Sequence, residues 1–455
     1  MFRSFKKNKN RIALVDFDKK ITYNELIDIS NKIPLNKKQN LILILTKNAI
    51  ELIAVYASLI LKKQACFLVD SKTDINLLKN LIEKYKPSMI FGDKNIVIKF
   101  KNYSKIYEIN NYYLAESKNF ENYKINKNIA LLLSTSGSTA SPKCVKISWS
   151  SLKHNTSQIQ KVLKIKKEHR TITTLPFNYT YGLSVINTHL DKGASIVINN
   201  NKVFEIKFWK KIKKFSVNNF GGVAYMYEMM KRININLSFF KTIDYLTHAG
   251  GILDEKTWDY ILRIAGKRIK FYNMYGAVEA CSRISILDSK YSSIKKNSIG
   301  KGLPGVKLFI KNKKDKGELM FSGKNIFSGY ANSYKDLRSL RNYKEYSTKD
   351  LAQRDKDGFY YIIGRKDRYI KILSNRIFLG DLENYFSNNF TKTVCVGKNN
   401  KLILFANLNY KEKIVKICEE KFNIFRNFIH FYSFADVRYT KNKKIDYNYL
   451  KKNFI

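Results

Sequence analysis

The chain of 455 residues carries 44% hydrophobic and 14% aromatic side chains, which excludes a disordered chain and suits two or more packed cores. Its formal charge of +47 is spread along the whole length, with no zinc-finger spacing, no RNP-like aromatic pair and no confined basic arm; the expectation is no nucleic acid and an attraction toward acidic or phosphorylated partners. The five cysteines are scattered and odd in number, which argues against a disulfide framework or zinc cluster and for a reducing, cytoplasmic setting.

Residues 1–10 are basic, and no apolar segment of signal-peptide type follows them. ITYNELIDISNKI at 21–33 opens with Thr22 and has Glu25 three residues on, a capping box ahead of an amphipathic helix. The most apolar stretch, at 41–63, holds Lys47 and Glu51 near its middle. It reads as a strand at 41–46 and a helix from about 48 to 62, and no integral membrane segment is expected. Strands follow at 65–70, 88–93 and 129–135, then a helix at 149–161 and strands TTLPF at 173–177 and ASIVI at 194–198. This alternation predicts parallel sheets covered by helices.

Between two of these elements, STSGSTAS at 134–141 follows the apolar run Ile129 to Leu133. Small residues let backbone amides approach an anion, hydroxyls add donors, and Lys143 and Lys146 add charge beyond Pro142. An ordinary polar turn is the other reading, because no Gly-Lys-Ser/Thr closes the loop. After about residue 290, Gly300, Gly302, Gly305, Gly317, Gly323 and Gly329 punctuate short strands, which predicts a small, mostly antiparallel section. Two strands are expected either side of Gly364 and Arg365, with a compact unit beyond them. Taken singly, Glu279 reads as a helix N-terminal carboxylate, Asp350 as a surface-turn residue, and Lys441, Lys443 and Lys444 as a solvent-facing run.

Taken in order, the loop at 134–146, LPFNYTYGL at 175–183, YGAVEA at 275–280, STKD at 347–350, GRKDRYIK at 364–371 and KNKKIDYNYL at 441–450 form a recognisable set. The chain resembles the adenylate-forming, or AMP-binding, superfamily: acyl-CoA synthetases, adenylation domains of non-ribosomal peptide synthetases, and D-alanine carrier-protein ligases. The resemblance implies an α/β fold, with a large N-terminal domain of stacked, mostly parallel sheets with helices plus a small distorted β-barrel. A small mobile α+β C-terminal domain follows. The implied division is 1–363, a hinge approach at 364–366, and 367–455.

It also implies site residues. Ser136, Gly137, Ser138, Thr139 and Lys143 match the loop that grips the ATP phosphates, although Ala140 and Cys144 stand where glycine is usual. Glu279 matches the magnesium ligand and Tyr275 the aromatic beside adenine, while Val278 replaces the customary threonine. Ala249, Gly250 and Gly251 match the backbone lining the base and acid pocket; Asp350 and Arg365 match the ribose contacts, and Asp367 the hinge. Lys444 matches the lysine that neutralises the carboxylate and α-phosphate, with Lys443 at a usual glycine position.

Asn178, Tyr179, Tyr181, Gly222 and Tyr225 fall in the segments bordering the acid pocket. Amino-acid-activating relatives place an aspartate near Asn178 and Tyr179, so an uncharged small carboxylic acid is expected. Ser374 replaces a glycine in the loop that shapes the thiol tunnel. The expected acceptor is therefore phosphopantetheine on an acidic acyl carrier protein; the alternative is an amino-acid or short-chain acyl-CoA ligase using free coenzyme A. A catalytically lapsed nucleotide- or acyl-binding subunit is the non-enzyme alternative, permitted by the same departures from the family pattern.

Overall fold

The protein is described by a computed structural model covering residues 2, 4–35, 39–121, 123–134, 143–313, 315–366, 368–373, 375–440 and 444–455. Strand Leu41–Thr46 is apolar but for its last residue and wholly buried, the pattern of a strand covered on both faces. Its neighbours Ala65–Asp70 and Met89–Asp93 pair with it in parallel, from Leu41 opposite Ala65 to Thr46 opposite Asp70. Alternate residues divide between two cores: Ile42 and Ile44 face one, Leu41, Leu43 and Leu45 the other. The sheet holds eight strands, with antiparallel strands at both ends.

A second sheet of thirteen strands runs from the parallel segments Arg170–Ile172, Ser195–Val197, Asn219–Gly222, Tyr245–His248 and Lys270–Tyr275 into the antiparallel section after residue 290. That section is thus an extension of the large sheet. Helix Ile50–Leu61 is buried on every face because it lies between the two sheets and shares one core with both. The capping box holds: Thr22 accepts from the Glu25 amide, and Glu25 accepts from the Thr22 amide.

One expected strand is misplaced. Residues 173–177 are not a strand; the pairing lies at Arg170–Ile172. Past Ile172, Thr173 and Asn199 bond through their side chains, and Pro176 offers no N–H for a ladder. The turn then packs against helix Thr180–Lys192 so closely that a Cβ on Gly182 would lie 2.4 Å from the Pro176 carbonyl oxygen.

Gly364 and Arg365 still belong to the large sheet, opposite Leu351 and Asp350. From Ile370 onward the chain builds its own cores from a hairpin, Tyr369–Ile372 with Asn375–Phe378, a three-stranded sheet, and helices Leu379–Asn389, Lys411–Phe422 and Tyr447–Phe454. Glu383 ties this α+β domain together. It receives a bidentate pair from Arg368 at 2.9 and 2.7 Å, the Cys395 amide at 2.7 Å, and the Tyr447 hydroxyl. Burial pulls the Arg368 pKa down, but the Glu383 carboxylate more than offsets this and raises it. Asp367, the expected hinge residue, lies outside the described residues. No described helix is long and apolar enough to cross a membrane.

Candidate active site

The site is built where strand ends of both sheets meet the C-terminal domain. Ser136, Gly137, Ser138, Thr139 and Ala140 lie outside the described residues. The first described residue after the loop, Lys143, holds its Nζ 3.9 Å from the Tyr330 ring centre. The Tyr330 hydroxyl donates to Glu279 Oε1 at 2.9 Å and lies 2.7 Å from the Tyr346 hydroxyl. One tyrosine therefore bridges the end of the loop and Glu279, residues far apart in sequence.

Lys146, expected to add charge at the loop, does not. It is 3% exposed, on a strand buried along its whole length, and its Nζ donates to the carbonyls of Asp336 and Ser339. Cys144 is buried beside it, and burial pushes its thiol up to about 12, so the side chain is unreactive packing.

Glu279 sits in the single 3₁₀ turn Val278–Ala280, with no long helix whose free amides would hold a carboxylate. The turn is tight: a Cβ on Gly276 would lie 1.6 Å from the Ser282 carbonyl oxygen, and Cys281 adopts a left-handed φ of 62°. One carboxylate partnered by a tyrosine hydroxyl suits Mg²⁺, which takes one or two protein carboxylates and fills its other positions with phosphate oxygens and water. Among the described residues there is no group of three or more metal-ligating side chains.

Tyr275 ends strand Lys270–Tyr275, and its hydroxyl donates to Asp350 Oδ2; Arg365 donates to Asp350 Oδ1 at 3.1 Å from the neighbouring strand. Burial, followed by the Asp350 charge, raises the Tyr275 pKa well above its usual value and keeps it a donor. Asp350 is thus an oriented acceptor between two donors, and the surface-turn reading does not describe it.

Strand Tyr245–His248 delivers Ala249, Gly250 and Gly251. Gly250 has φ 90°, and a Cβ there would lie 2.8 Å from the Tyr179 hydroxyl and 3.7 Å from Lys444 Cε. Lys444 Nζ stands 5.2 Å from the Tyr179 ring centre. It is presented by a turn in which Thr440 and Lys444 exchange hydrogen bonds, closed by the Tyr439–Ile445 bridge. Lys441 and Lys443 lie outside the described residues. Two further contacts join the halves of the chain: Lys392 to Glu228 at 2.8 Å, and Tyr225 to Tyr439 with ring centres 5.9 Å apart.

The expected acid-pocket residues occupy different depths. Tyr179 and Tyr225 reach toward the C-terminal domain, and Asn178 Oδ1 is buried with no hydrogen-bond partner. Tyr181 is 1% exposed, its hydroxyl 2.7 Å from Thr247 Oγ1. Gly222 admits the Tyr227 ring, since a Cβ there would lie 2.8 Å from it. Sequence reasoning missed His248 and Arg283. His248 lies inside THAGG, buried, with Nδ1 2.7 Å from Asn273 Oδ1; burial lowers its pKa to about 4, so it is neutral. Arg283 is 3% exposed, and its signal was a lone charge in the apolar run ACSRISIL.

Comparison with known proteins places the chain among enzymes of known fold. The D-alanine–D-alanyl carrier protein ligase of Staphylococcus haemolyticus is 24% identical over 422 residues, covering 87% of this chain and 84% of the relative. The 2-succinylbenzoate–CoA ligase of Bacillus pumilus is 22% identical, covering 82% and 79%. Among solved structures, ATP-bound MatB from Rhodopseudomonas palustris superposes with a TM-score of 0.81 at 15% identity, covering 100% of this chain and 98% of that one. The o-succinylbenzoate CoA synthetase of Bacillus subtilis with ATP and magnesium gives 0.76 at 19% identity, covering 97% and 96%. At such identities these structures establish the fold. The sequence model of the family described as AMP-binding enzyme matches residues 1–331, and the chain accordingly belongs to that family, the adenylate-forming superfamily of AMP-forming acid–thiol ligases.

Proposed function

We propose that this enzyme adenylates a small carboxylic acid with MgATP and passes the acyl group to the phosphopantetheine thiol of an acyl carrier protein. The observation that carries the reading is the seat of Lys444, from the C-terminal domain, against Tyr179 and Gly250 of the N-terminal domain. A cation held there meets the negative charge that builds when a carboxylate oxygen attacks the α-phosphorus and pyrophosphate leaves. Ser136, Gly137, Ser138, Thr139 and Lys143 would hold the departing phosphates, Tyr275 would flank adenine, and Asp350 with Arg365 would hold the ribose hydroxyls. Glu279 would hold Mg²⁺, which when bound neutralises phosphate charge. The C-terminal domain would then pivot near Asp367, the thiol sulfur attacking the acyl carbon as AMP leaves.

A carrier protein is favoured as acceptor on three grounds. Ser374 replaces a glycine in the expected thiol-tunnel loop, the charge of +47 would steer an acidic carrier, and the Staphylococcus relative acts with a carrier. The absence of an acidic side chain at Asn178 and Tyr179 favours an acid without an amine. Acid-dependent exchange of labelled pyrophosphate into ATP tests the first half-reaction, with Lys444→Ala expected to lower kcat by roughly 100- to 1000-fold. Exchange unaffected by that substitution, or none with any acid despite ATP binding, would reject the assignment. Thioester formation on a phosphopantetheinylated carrier, set against free coenzyme A, tests the second.

A further inference from the structure

Beneath Tyr181 lies a small cavity of about 20 Å³, lined in part by Tyr181, Thr188, Asn219, Gly221, Thr247 and Arg283. A water needs roughly 10–15 Å³, so the space admits the end of a ligand rather than a whole one. Arg283 is its one charged lining residue. His189, the other titratable base there, is lowered to about 4 by burial and stays neutral.

The guanidinium is held but not satisfied. Nη1 donates to Ser282 Oγ at 2.8 Å, and the guanidinium carbon lies 4.0 Å from the centre of the Tyr181 ring. Nε and Nη2 make no hydrogen bond of good geometry; the groups that favour the charge are the Tyr181 phenol, close enough to interact, and Tyr179, and no described carboxylate acts on it. Asn155 and Asn325 both donate to the Arg283 carbonyl, at 2.7 and 2.8 Å, so the backbone beneath this side chain is fixed. A buried cation with two unused donors is expensive to maintain, and such a group calls for a partner, whether water, an ion or the anionic group of a ligand. Nε and one Nη of a guanidinium form a fork that suits a carboxylate.

The cavity shares Tyr181 with the expected acid-pocket residues, and the Tyr179 phenol lies near enough to the Arg283 guanidinium to act on its charge. Tyr181 follows Tyr179 by two residues at the start of one helix, and a Cβ on Gly221 would strike the Tyr181 hydroxyl at 2.6 Å. Tyr179 thus stands between Lys444, 5.2 Å from its ring centre, and Arg283, so an acid whose reacting carboxylate lay at Lys444 would have Arg283 on the far side of Tyr179. Resting on the adenylation reading above, we infer that the substrate carries a second anionic group, a distal carboxylate, which Arg283 receives in this cavity. The acid is thus a short dicarboxylate rather than an acid with a single charge.

The test uses the full-length enzyme, ATP exchange, and saturated α,ω-dicarboxylates of three to six carbons against monocarboxylates of matching length. The expected result is a diacid preference in kcat/KM of about 100-fold or more that collapses in Arg283→Met, chiefly through KM, and returns in part in Arg283→Lys. Stabilisation by the diacid in a thermal shift should vanish in Arg283→Met, while stabilisation by ATP persists and shows that the variant is folded. Exchange with monoacids alone, or a diacid preference that survives Arg283→Met, overturns the inference and leaves adenylation standing. Diacid stabilisation that depends on Arg283 without any exchange sinks the adenylation reading instead. Neither exchange nor stabilisation with diacids overturns the inference.

Discussion

His189 and His248 are buried neutral, each with its pKa lowered from 6.5 to about 4 by burial. Between these values the unfolded chain binds more protons than the folded one, so acidification favours unfolding. Stability is expected to be fully present above pH 6.5 and to fall as pH drops toward 4, by about 3 kcal/mol for each histidine. Urea unfolding at stepped pH checks this, and His189→Gln should flatten the slope by about half. A profile flat from pH 7 to 4 would refute the assignment. Lys143 and Lys146 teach a related lesson: their spacing places both near the loop, yet one lies over Tyr330 and the other is buried among carbonyls. Strand pairing sends the second side chain inward, and no local signal predicts which.

The elements with strong local rules were readable. Thr22 and Glu25 announced a helix start, and the apolar run at 41–46 announced an interior strand. TTLPF was misread because its β-branched residues suit a strand, while the side-chain bonding of Thr173 and Asn199 and the approach of the next helix override that propensity. The turn at 276–282 carries the sharpest mutational expectation. Gly276→Ala would put a Cβ 1.6 Å from the Ser282 carbonyl, so the backbone must move. The expected outcome is a loss of about 2–3 kcal/mol, together with weakened MgATP binding, because Glu279 rides on the same turn. Calorimetry and nucleotide titration on one sample check both, and an alanine variant with unchanged stability would disprove the close contact.

Among the described residues, the two halves of the molecule meet through Lys392 with Glu228, Tyr225 with Tyr439 and Lys444 against Tyr179, and through Gly380 of helix Leu379–Asn389, where a Cβ would lie 3.0 Å from Gly364 Cα. An interface that rests partly on a solvent-exposed ion pair suits a domain that would leave it during the proposed second half-reaction. Lys392 is 37% exposed, so solvent limits its pairing to less than about 1 kcal/mol. Lys392→Ala is therefore expected to slow adenylation by about two- to fivefold while leaving thiol transfer little changed, measured as separate single-turnover rates. Equal slowing of both steps would count against a contact confined to adenylation.

Local spacing carried the alternation of strands and helices, because capping and periodicity are properties of neighbours along the chain; Glu279, Asp350 and Lys444 stood out as candidates only through the order of the motifs and the family resemblance that it carries. The bridging tyrosine Tyr330, the inward turn of Lys146 and the unpaired guanidinium of Arg283 emerged only when distant strands were brought together. Whether a charge is solvated, paired or left open to a ligand depends on which remote groups the fold packs around it, and no window of neighbouring residues contains that information.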